Sequence, residues 1–381
     1  MMPEQRERRG KWGITRRSLV ALFVCASSVA TACPLCLGAF QPTVAQRLVE
    51  LRHAMLAQPS ANGRDYRVCA VIKGDRPEGE IIPAEAIQLD FVAPPTATLL
   101  LVRDGAWSMW LGVGAVTVEH ASWLRQIAGG KRSSDMNADE WRDRIALMLP
   151  YLEHQEPLVA KIAYGELAAA PYAALQTAKS RLAASPIRRW LADPELSARR
   201  PLLFLLLGIA GDARDAEALE EQLEASWMAG DATNLGSMIA ADLQLRGPSR
   251  MAWVDAKYMG DRLRSTRELE AALLALSVLG NANDAIPRER VIQSYLMFIR
   301  EHQELAGLVA WDLATWRYWG AAPVYRAIIK SNVRQHFASQ IGIFEYLQQS
   351  PSGNMIDSNT SKSGAPDQRS AERPPIQALP Q

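Results

Sequence analysis

Three of the four cysteines, those of the predicted mature chain, carry the clearest chemical potential in this sequence. Cys33 and Cys36 bracket Pro34-Leu35 in a CxxC motif, and Cys69 follows further along the chain. A CxxC pair at the start of a helix lowers the pKa of one thiol, which is the basis of thiol–disulfide exchange. Thioredoxin-like sites, however, follow a strand inside a βαβ unit, whereas this motif precedes every predicted element. A redox site at Cys33 and Cys36 is therefore an alternative interpretation and not the leading one.

Two structural roles compete for the same cysteines. Lipidation of Cys33 is one, because Thr31-Ala32-Cys33 fits a lipobox at two positions, although Ala30 stands where leucine is usual. A lipid on Cys33 leaves Cys36 and Cys69 to pair with each other. The other role is a plain disulfide from Cys69 to Cys33 or Cys36, with the odd cysteine unpaired or modified. We expect a structural disulfide, and its pairing stays open.

The first 32 residues predict a signal peptide that is removed before folding. The apolar run Ser18–Ala30 is too short to predict a membrane span, and Ala30-Thr31-Ala32 fits the small-x-small cleavage pattern. Thr15–Leu19 resembles a twin-arginine export signal, with a general secretory signal as an equal alternative. Six basic residues precede the run: Arg6, Arg8, Arg9, Lys11, Arg16 and Arg17. These features predict export from a bacterial cytoplasm to the periplasm or beyond, where disulfides persist.

An aromatic group near the end of the chain is a candidate ligand surface. Trp311, Trp316 and Trp319 lie on one predicted helix, and Asp312 lies among them. An aromatic platform beside a carboxylate is suited to binding a sugar or a peptide segment. Aromatic residues at helical spacing are more often core, so we favour packing over ligand binding and expect Asp312 to pair with an arginine of the next helix.

The remaining residue types indicate no metal site, no cofactor and no nucleic-acid partner. Gly129–Arg132 lacks the glycine and hydroxyl positions of a phosphate loop, and no GxSxG motif occurs. The net charge of +1 provides no global field for nucleic acid. Five histidines are scattered without ligand spacing on one helix, and each is expected to be a surface or capping residue: His53, His120, His154, His302 and His336.

The first part of the predicted mature chain, residues 33–118, favours a small β-rich domain. Along Tyr66–Ile72, every second side chain is apolar or aromatic, which is the two-residue period of a strand. Gln46–Gln58 is ambiguous between helix and strand. Thr96–Val102, followed by Asp104-Gly105 and the apolar Trp107–Leu111, is the strongest hairpin signal. We expect these strands to form one small domain that a disulfide ties to the start of the mature chain.

Residues 119–350 show almost only helical periodicity, with proline and glycine at helix ends. In Arg199–Trp227, an apolar helix, a Gly211-Asp212 turn and an amphipathic acidic helix follow one another. A helix that is apolar on every side needs several neighbours, so we predict stacked helical hairpins. Residues 351–381 lose this periodicity and gain Ser, Pro, Gln and Asn, which predicts a disordered tail.

Two family resemblances refine the fold class. Leu207–Ala213, continued by Leu219 and Leu223, resembles a HEAT repeat, which implies an all-α solenoid. The β region resembles a netrin-type, TIMP-like OB barrel through its N-terminal paired cysteines, Tyr66–Gly74 and Leu99–Leu101. The whole layout resembles secreted bacterial proteins with CPxC after the signal peptide and helical repeats behind it.

The function predicted from these features is non-enzymatic protein binding. Stacked hairpins offer an extended surface, and no convergent set of acid, base, nucleophile or metal ligands is visible in the sequence. The expected partner is an envelope or extracellular protein, with membrane anchoring if Cys33 is lipidated and the oligomeric state left open. The alternatives are a thiol–disulfide oxidoreductase that uses the CPLC motif and a carbohydrate-binding envelope protein.

Overall fold

The computed structural model of the chain describes residue 35 and residues 42–105, 108–331 and 333–351. Cys33, Cys36, the predicted signal peptide and the predicted tail beyond residue 351 lie outside these ranges. The described chain divides into two compact units, residues 42–166 and residues 167–351, and Leu35 belongs to the second. Of the helices described, none combines the length and apolar character needed to cross a membrane.

The first unit is built on a curled six-stranded sheet that forms a half-barrel. Its strands are β1 (His53–Pro59), β2 (Asp65–Lys73), β3 (Ile81–Pro83), β4 (Ile87–Leu89), β5 (Leu99–Arg103) and β6 (Trp110–Ala115). They lie in the order β3-β2-β1-β5-β6-β4. Neighbouring strands are antiparallel except for the parallel pair of β4 and β6.

Strand period explains how the sheet is buried. In β2, Val68, Ala70 and Ile72 are buried while the residues between them are more exposed, as alternate residues face opposite sides of a sheet. All five residues of β5 are buried, because this central strand is covered on both faces. The strand predicted over Tyr66–Ile72 is therefore confirmed, and so is the antiparallel pairing predicted between the segments that become β5 and β6.

The ambiguous segment Gln46–Gln58 contains both kinds of element. It begins in helix α1 (Val44–Glu50) and ends in β1. Thr43 caps α1 in a capping box with Gln46, in which each side chain accepts from the other residue's backbone N–H. This local signal starts the helix. The apolar residues that follow form β1 and are buried in the sheet.

Three further helices begin in the first unit: α2 (Ala121–Ala128), α3 (Ala138–Met148) and α4 (Pro157–Ala169). Arg125 of α2 donates from Nε to the backbone oxygen of Val71 on β2 at 2.7 Å. The unit thus includes residues 119–166, which the sequence analysis assigned to the helical region. The last turn of α4 extends past the boundary at Glu166.

The second unit is helical throughout its described residues. Its helices are α5 (Tyr172–Gln176), α6 (Ala184–Ala192), α7 (Arg200–Ala210), α8 (Ala213–Ala229), α9 (Leu235–Arg246), α10 (Met251–Val254), α11 (Thr266–Ala282), α12 (Arg288–Glu301), α13 (Ala310–Thr315), α14 (Ala322–Lys330) and α15 (Phe337–Gln349). The protein is therefore a β domain followed by a helical region, as the sequence predicts at that level.

The helix, turn and second helix predicted over Arg199–Trp227 are present as α7 and α8, although both pack mainly on α9 and not on each other as the predicted hairpin requires. The chain turns at Gly211-Asp212, and Asp212 caps α8 in a capping box with Asp215. Nearly every residue of α7 is buried. A Cβ on Gly208 would lie 2.7 Å from the Cα of Ala241, so glycine is what allows α7 and α9 to approach so closely.

Candidate functional site

Cys69 is the one cysteine of the predicted group that lies within the described residues. It is a half-buried free thiol on β2, and its Sγ donates to the backbone oxygen of Leu56 at 3.3 Å. Burial raises the pKa of the Cys69 thiol. Since the thiolate is the nucleophile, Cys69 is a poor attacking group at neutral pH. No disulfide is seen at Cys69. Its predicted partners Cys33 and Cys36 lie outside the described residues, so that pairing and the lipidation of Cys33 stay predictions.

The predicted tryptophan platform is divided among different neighbours. Trp316 stacks on Tyr295 with ring centroids 5.6 Å apart and an interplanar angle of 7°, and its Nε1 donates to Asn281 at 2.9 Å. Trp319 instead packs against Tyr346, at a centroid distance of 5.2 Å. These contacts are packing contacts between helices, and they favour the core interpretation of both residues.

The Asp312 side chain also points into the helical packing. Its carboxylate accepts from the Tyr295 hydroxyl at 2.7 Å and from the Ser277 hydroxyl at 3.0 Å, and not from the arginine expected. Burial raises the pKa of Asp312, although both hydrogen bonds act to lower it. Trp311, the remaining member of the group, lies on the outer side of α13 with 50% of its surface exposed.

An apolar stripe that the sequence analysis did not single out lies on α15. Phe337, Ile341 and Phe344 are 75%, 40% and 61% exposed, and we call them the α15 stripe. Residues spaced by four and three positions lie on one face of a helix. Large apolar side chains grouped on an exposed face are typical of interaction sites, whereas isolated ones are common on any surface.

The opposite face of α15 is fixed by small residues and two hydrogen bonds. Ser339 and Gly342 face Gly307, and added Cβ atoms at either glycine would overlap backbone atoms of the other segment. The Gly307 N–H donates to Ser339 Oγ at 2.8 Å. Tyr346 donates from its hydroxyl to the backbone oxygen of Tyr318 at 2.6 Å. With one face held this closely, the stripe must face outward.

A second group of polar residues, which we call the histidine cluster, lies in the first unit. It consists of Thr117, His120, His154 and Glu156. His120 directly precedes α2 and is buried, whereas His154 and Glu156 lie in the turn before α4. Nε2 of His120 and Nε2 of His154 are 3.3 Å apart. One ligand atom from each of His120, His154 and Glu156 lies within 4.8 Å of the other two.

Hydrogen bonds assign the protons in this cluster when both rings are neutral. The Glu156 N–H points at Nδ1 of His154 at 3.2 Å, so the His154 proton is on Nε2 and points at Nε2 of His120. The His120 proton is then on Nδ1, 3.1 Å from Thr117 Oγ1. The Thr117 hydroxyl in turn donates to Glu156 Oε1 at 2.8 Å. The four residues form a closed circuit in which each proton has an acceptor.

Aromatic rings form one wall of the histidine cluster. Tyr151 lies 6.0 Å from the His120 ring and 5.9 Å from the His154 ring, measured between centroids. Trp123 packs against Tyr151 at 4.5 Å and meets the edge of His120 at 6.2 Å. These contacts restrict the His120 ring and exclude water from that side, whereas Thr117 on the other side is exposed.

This cluster was not predicted, because no two histidines of the sequence have the spacing of metal ligands on one helix. His120 and His154 belong to different helix starts, and only the packing of α2 and α3 before α4 brings them together. The His-x-Glu spacing of His154 and Glu156 in a turn before Pro157 was the available local signal. Such spacing is common, however, and acquires meaning only with the third ligand in place.

Comparisons with protein-family models, with curated proteins and with solved structures gave no match for this chain.

Proposed function

We propose that the protein is an exported, non-enzymatic scaffold that binds another envelope or extracellular protein through its helical region. The α15 stripe is the observation that supports this proposal. Two phenylalanines and an isoleucine lie exposed on a helix whose other face is tightly packed. Because aromatic side chains contribute much of the energy at protein interfaces, the stripe is suited to be the central contact.

The partner segment that fits the stripe is an amphipathic helix. Phe337, Ile341 and Phe344 follow the 4-3 spacing of the apolar seam in paired helices. The one charged residue of α15, Glu345, does not belong to the stripe. An apolar helical face therefore complements the stripe better than a charged or extended segment, and we commit to that class of partner.

The family-level part of the proposal is that the helical region is a HEAT-like solenoid and the sheet a netrin- or OB-like domain. The buried apolar helix α7, the capped Gly-Asp turn and the amphipathic helix α8 that follows it support the first. The curled sheet of the first unit supports the second. Repeat scaffolds of this kind present helix faces to binding partners, which agrees with the role assigned to α15.

The test uses the exported chain with Phe337 and Phe344 both replaced by glutamine, which keeps helix propensity while removing the apolar surface. The probe is a set of designed amphipathic helical peptides with leucine at 3-4 spacing. We expect a peptide selected on the unmodified protein to lose at least tenfold in affinity for the double variant, about 1.4 kcal/mol.

Met228→Gln is the matched control. Met228 is 73% exposed on α8 of the same unit but lies outside the stripe, so its loss should leave peptide affinity unchanged. The proposal fails if peptides bind the double variant as well as the unmodified protein. It also fails if light scattering shows a dimer that the double variant abolishes, because a second copy would then occupy the stripe.

A further inference from the structure

The histidine cluster carries an inference that is independent of the proposed scaffold function. We propose that His120, His154 and Glu156 bind one divalent transition-metal ion of the Zn²⁺ class. Two imidazoles and one carboxylate suit borderline ions such as Zn²⁺, whereas Mg²⁺ and Ca²⁺ prefer sites made of oxygen ligands. The same ligand set, with a further position open, is one of the arrangements that holds zinc at reactive sites.

The spacing of the donor atoms is close to that of a coordinated ion. Two imidazole nitrogens bound to a tetrahedral Zn²⁺ at about 2.0–2.1 Å lie about 3.4 Å apart, and the Nε2 atoms of His120 and His154 are 3.3 Å apart. Glu156 has one oxygen 3.7 Å from Nδ1 of His120. That oxygen faces the other nitrogen of the His120 ring, so a turn of the Glu156 side chain or of the ring is needed to bring all three donors onto one ion. One ligand atom from each residue already lies within 4.8 Å of the other two.

The elements around the cluster keep two of the ligands close together in the protein without an ion. The His120 ring is buried against Trp123 and Tyr151. Glu156 is fixed by the backbone N–H and the hydroxyl of Thr117, both at 2.8 Å. The Glu156 side chain is 24% exposed. The site therefore has an aromatic wall on one side and is open to the ion and a water ligand on the other.

The ion would replace the proton that lies between the two histidine rings. When Nε2 of His154 coordinates, the proton of that ring moves to Nδ1, and the hydrogen bond from the Glu156 N–H is lost. Ion binding therefore competes with a hydrogen bond of the turn. Without the ion, each polar hydrogen of the four residues has an acceptor. This predicts a reversible site: the protein stays folded without the ion, in contrast to structural zinc sites that fold only with metal.

The test is a titration of the thiol-reduced, purified full chain with Co²⁺, whose visible d–d absorption reports tetrahedral or five-coordinate geometry. We expect the absorption to saturate at one Co²⁺ per chain and to disappear on addition of one equivalent of Zn²⁺. Nitrogen and oxygen ligands give no intense near-ultraviolet thiolate band, so a site built by Cys33, Cys36 or Cys69 would be recognised directly. Chelation should leave the far-ultraviolet circular dichroism unchanged.

His154→Asn is the test variant, because the asparagine oxygen can take the place of Nδ1 and accept the Glu156 N–H. It should weaken Co²⁺ binding at least tenfold. His336→Asn is the control, since His336 is an exposed histidine of the second unit, and should bind as the unmodified chain does. Equal binding by all three proteins, a thiolate band, or no d–d absorption at stoichiometric Co²⁺ would overturn the proposal. The last two readouts need only the unmodified chain and hold even if the variant misfolds.

Discussion

At the scale of single residues, Gly307 determines how closely α15 packs. The backbone of Ser339 approaches Gly307 so closely that any side chain would overlap its carbonyl group. Gly342 faces the Gly307 carbonyl in the same way. Side-chain volume is therefore excluded where Ser339 and Gly342 meet Gly307, and Ile343 and Tyr346 fill the rest of the inner face. The phenylalanines of the helix lie on the outer face.

We expect Gly307→Ala to destabilise the second unit by about 3 kcal/mol, the upper range for an overpacked buried site. The cause is the overlap of the added Cβ with the Ser339 backbone. Because the overlapping atoms are backbone atoms, no change of side-chain rotamer can relieve it. Urea unfolding measures the change. Gly260→Ala is the control, because an added Cβ there meets nothing closer than 3.4 Å. An equal, small effect of both substitutions would show that α15 is free to shift.

Asp312 shows why a chemically suggestive residue need not be a functional one. Its carboxylate is enclosed by Tyr295 and Ser277, and burial raises the pKa of Asp312 and of the Tyr295 hydroxyl as well. Raised pKa values in a cleft can indicate catalysis. Here both groups satisfy each other inside the helical packing, so their shifts reflect burial.

At the scale of elements, an ion pair ties α6 to the start of α8. Arg188 binds both oxygens of Asp215 at 2.6 and 2.7 Å and one oxygen of Asp212 at 3.0 Å. The Asp215 side chain is 6% exposed, whereas that of Arg188 is 43% exposed. The hydrogen bond from Arg188 holds the pKa of Asp215 below its usual value. Neighbouring helices of this unit therefore exchange ion pairs that also support a helix cap.

Arg188→Met should lower the free energy of unfolding at pH 7, and by less than for a fully buried pair because Arg188 is partly solvated. The carboxyl has a lower pKa in the folded protein than in the unfolded chain. Its stabilisation is therefore complete above the unfolded value of about 3.9 and is lost as pH falls through the folded value. Urea unfolding at several pH values measures both effects.

The gap between the unmodified protein and Arg188→Met should thus narrow below about pH 4. Arg214→Met provides a control on an exposed arginine of α8, next to Asp215, and should leave the stability curve unchanged. If the difference in the free energy of unfolding keeps its full size in acid, Arg188 acts through packing and not through the charge of Asp215.

At the scale of the whole molecule, the two compact units are of different kinds. Residues 42–166 form a sheet with helices, and residues 167–351 are helical. The histidine cluster belongs to the first unit and the α15 stripe to the second. The metal site and the scaffold surface that we propose are therefore separable, and a variant in one should leave the assay of the other unchanged.

Export is the prediction that concerns the complete chain. We expect the intact mass of the protein purified from a bacterial envelope to correspond to a chain that begins at Cys33, after cleavage at the Ala30-Thr31-Ala32 pattern. A disulfide removes two hydrogens from this mass, and a lipid on Cys33 adds its acyl chains. Recovery of the uncleaved mass from the cytoplasmic fraction would refute the export prediction.

Sequence alone predicted the local features of the fold. The alternation in β2 and the helix–turn–helix order of α7 and α8 follow from side-chain periodicity and turn chemistry within a few residues of one another. The division into a β region and a helical region follows for the same reason. By contrast, the sheet order, with β4 joined in parallel to β6, depends on pairing between distant segments.

The candidate sites depended on tertiary structure, because each is defined by contacts between residues far apart in the chain. His120 and His154 became neighbours only when the starts of α2 and α4 met. The sequence was sufficient to recognise Cys33, Cys36 and Cys69 as candidates for disulfide or redox chemistry. Of these three, only Cys69 lies within the described residues. Periodicity identified α15 as a helix, but only the packing of its small residues against Gly307 decided that its phenylalanines face outward.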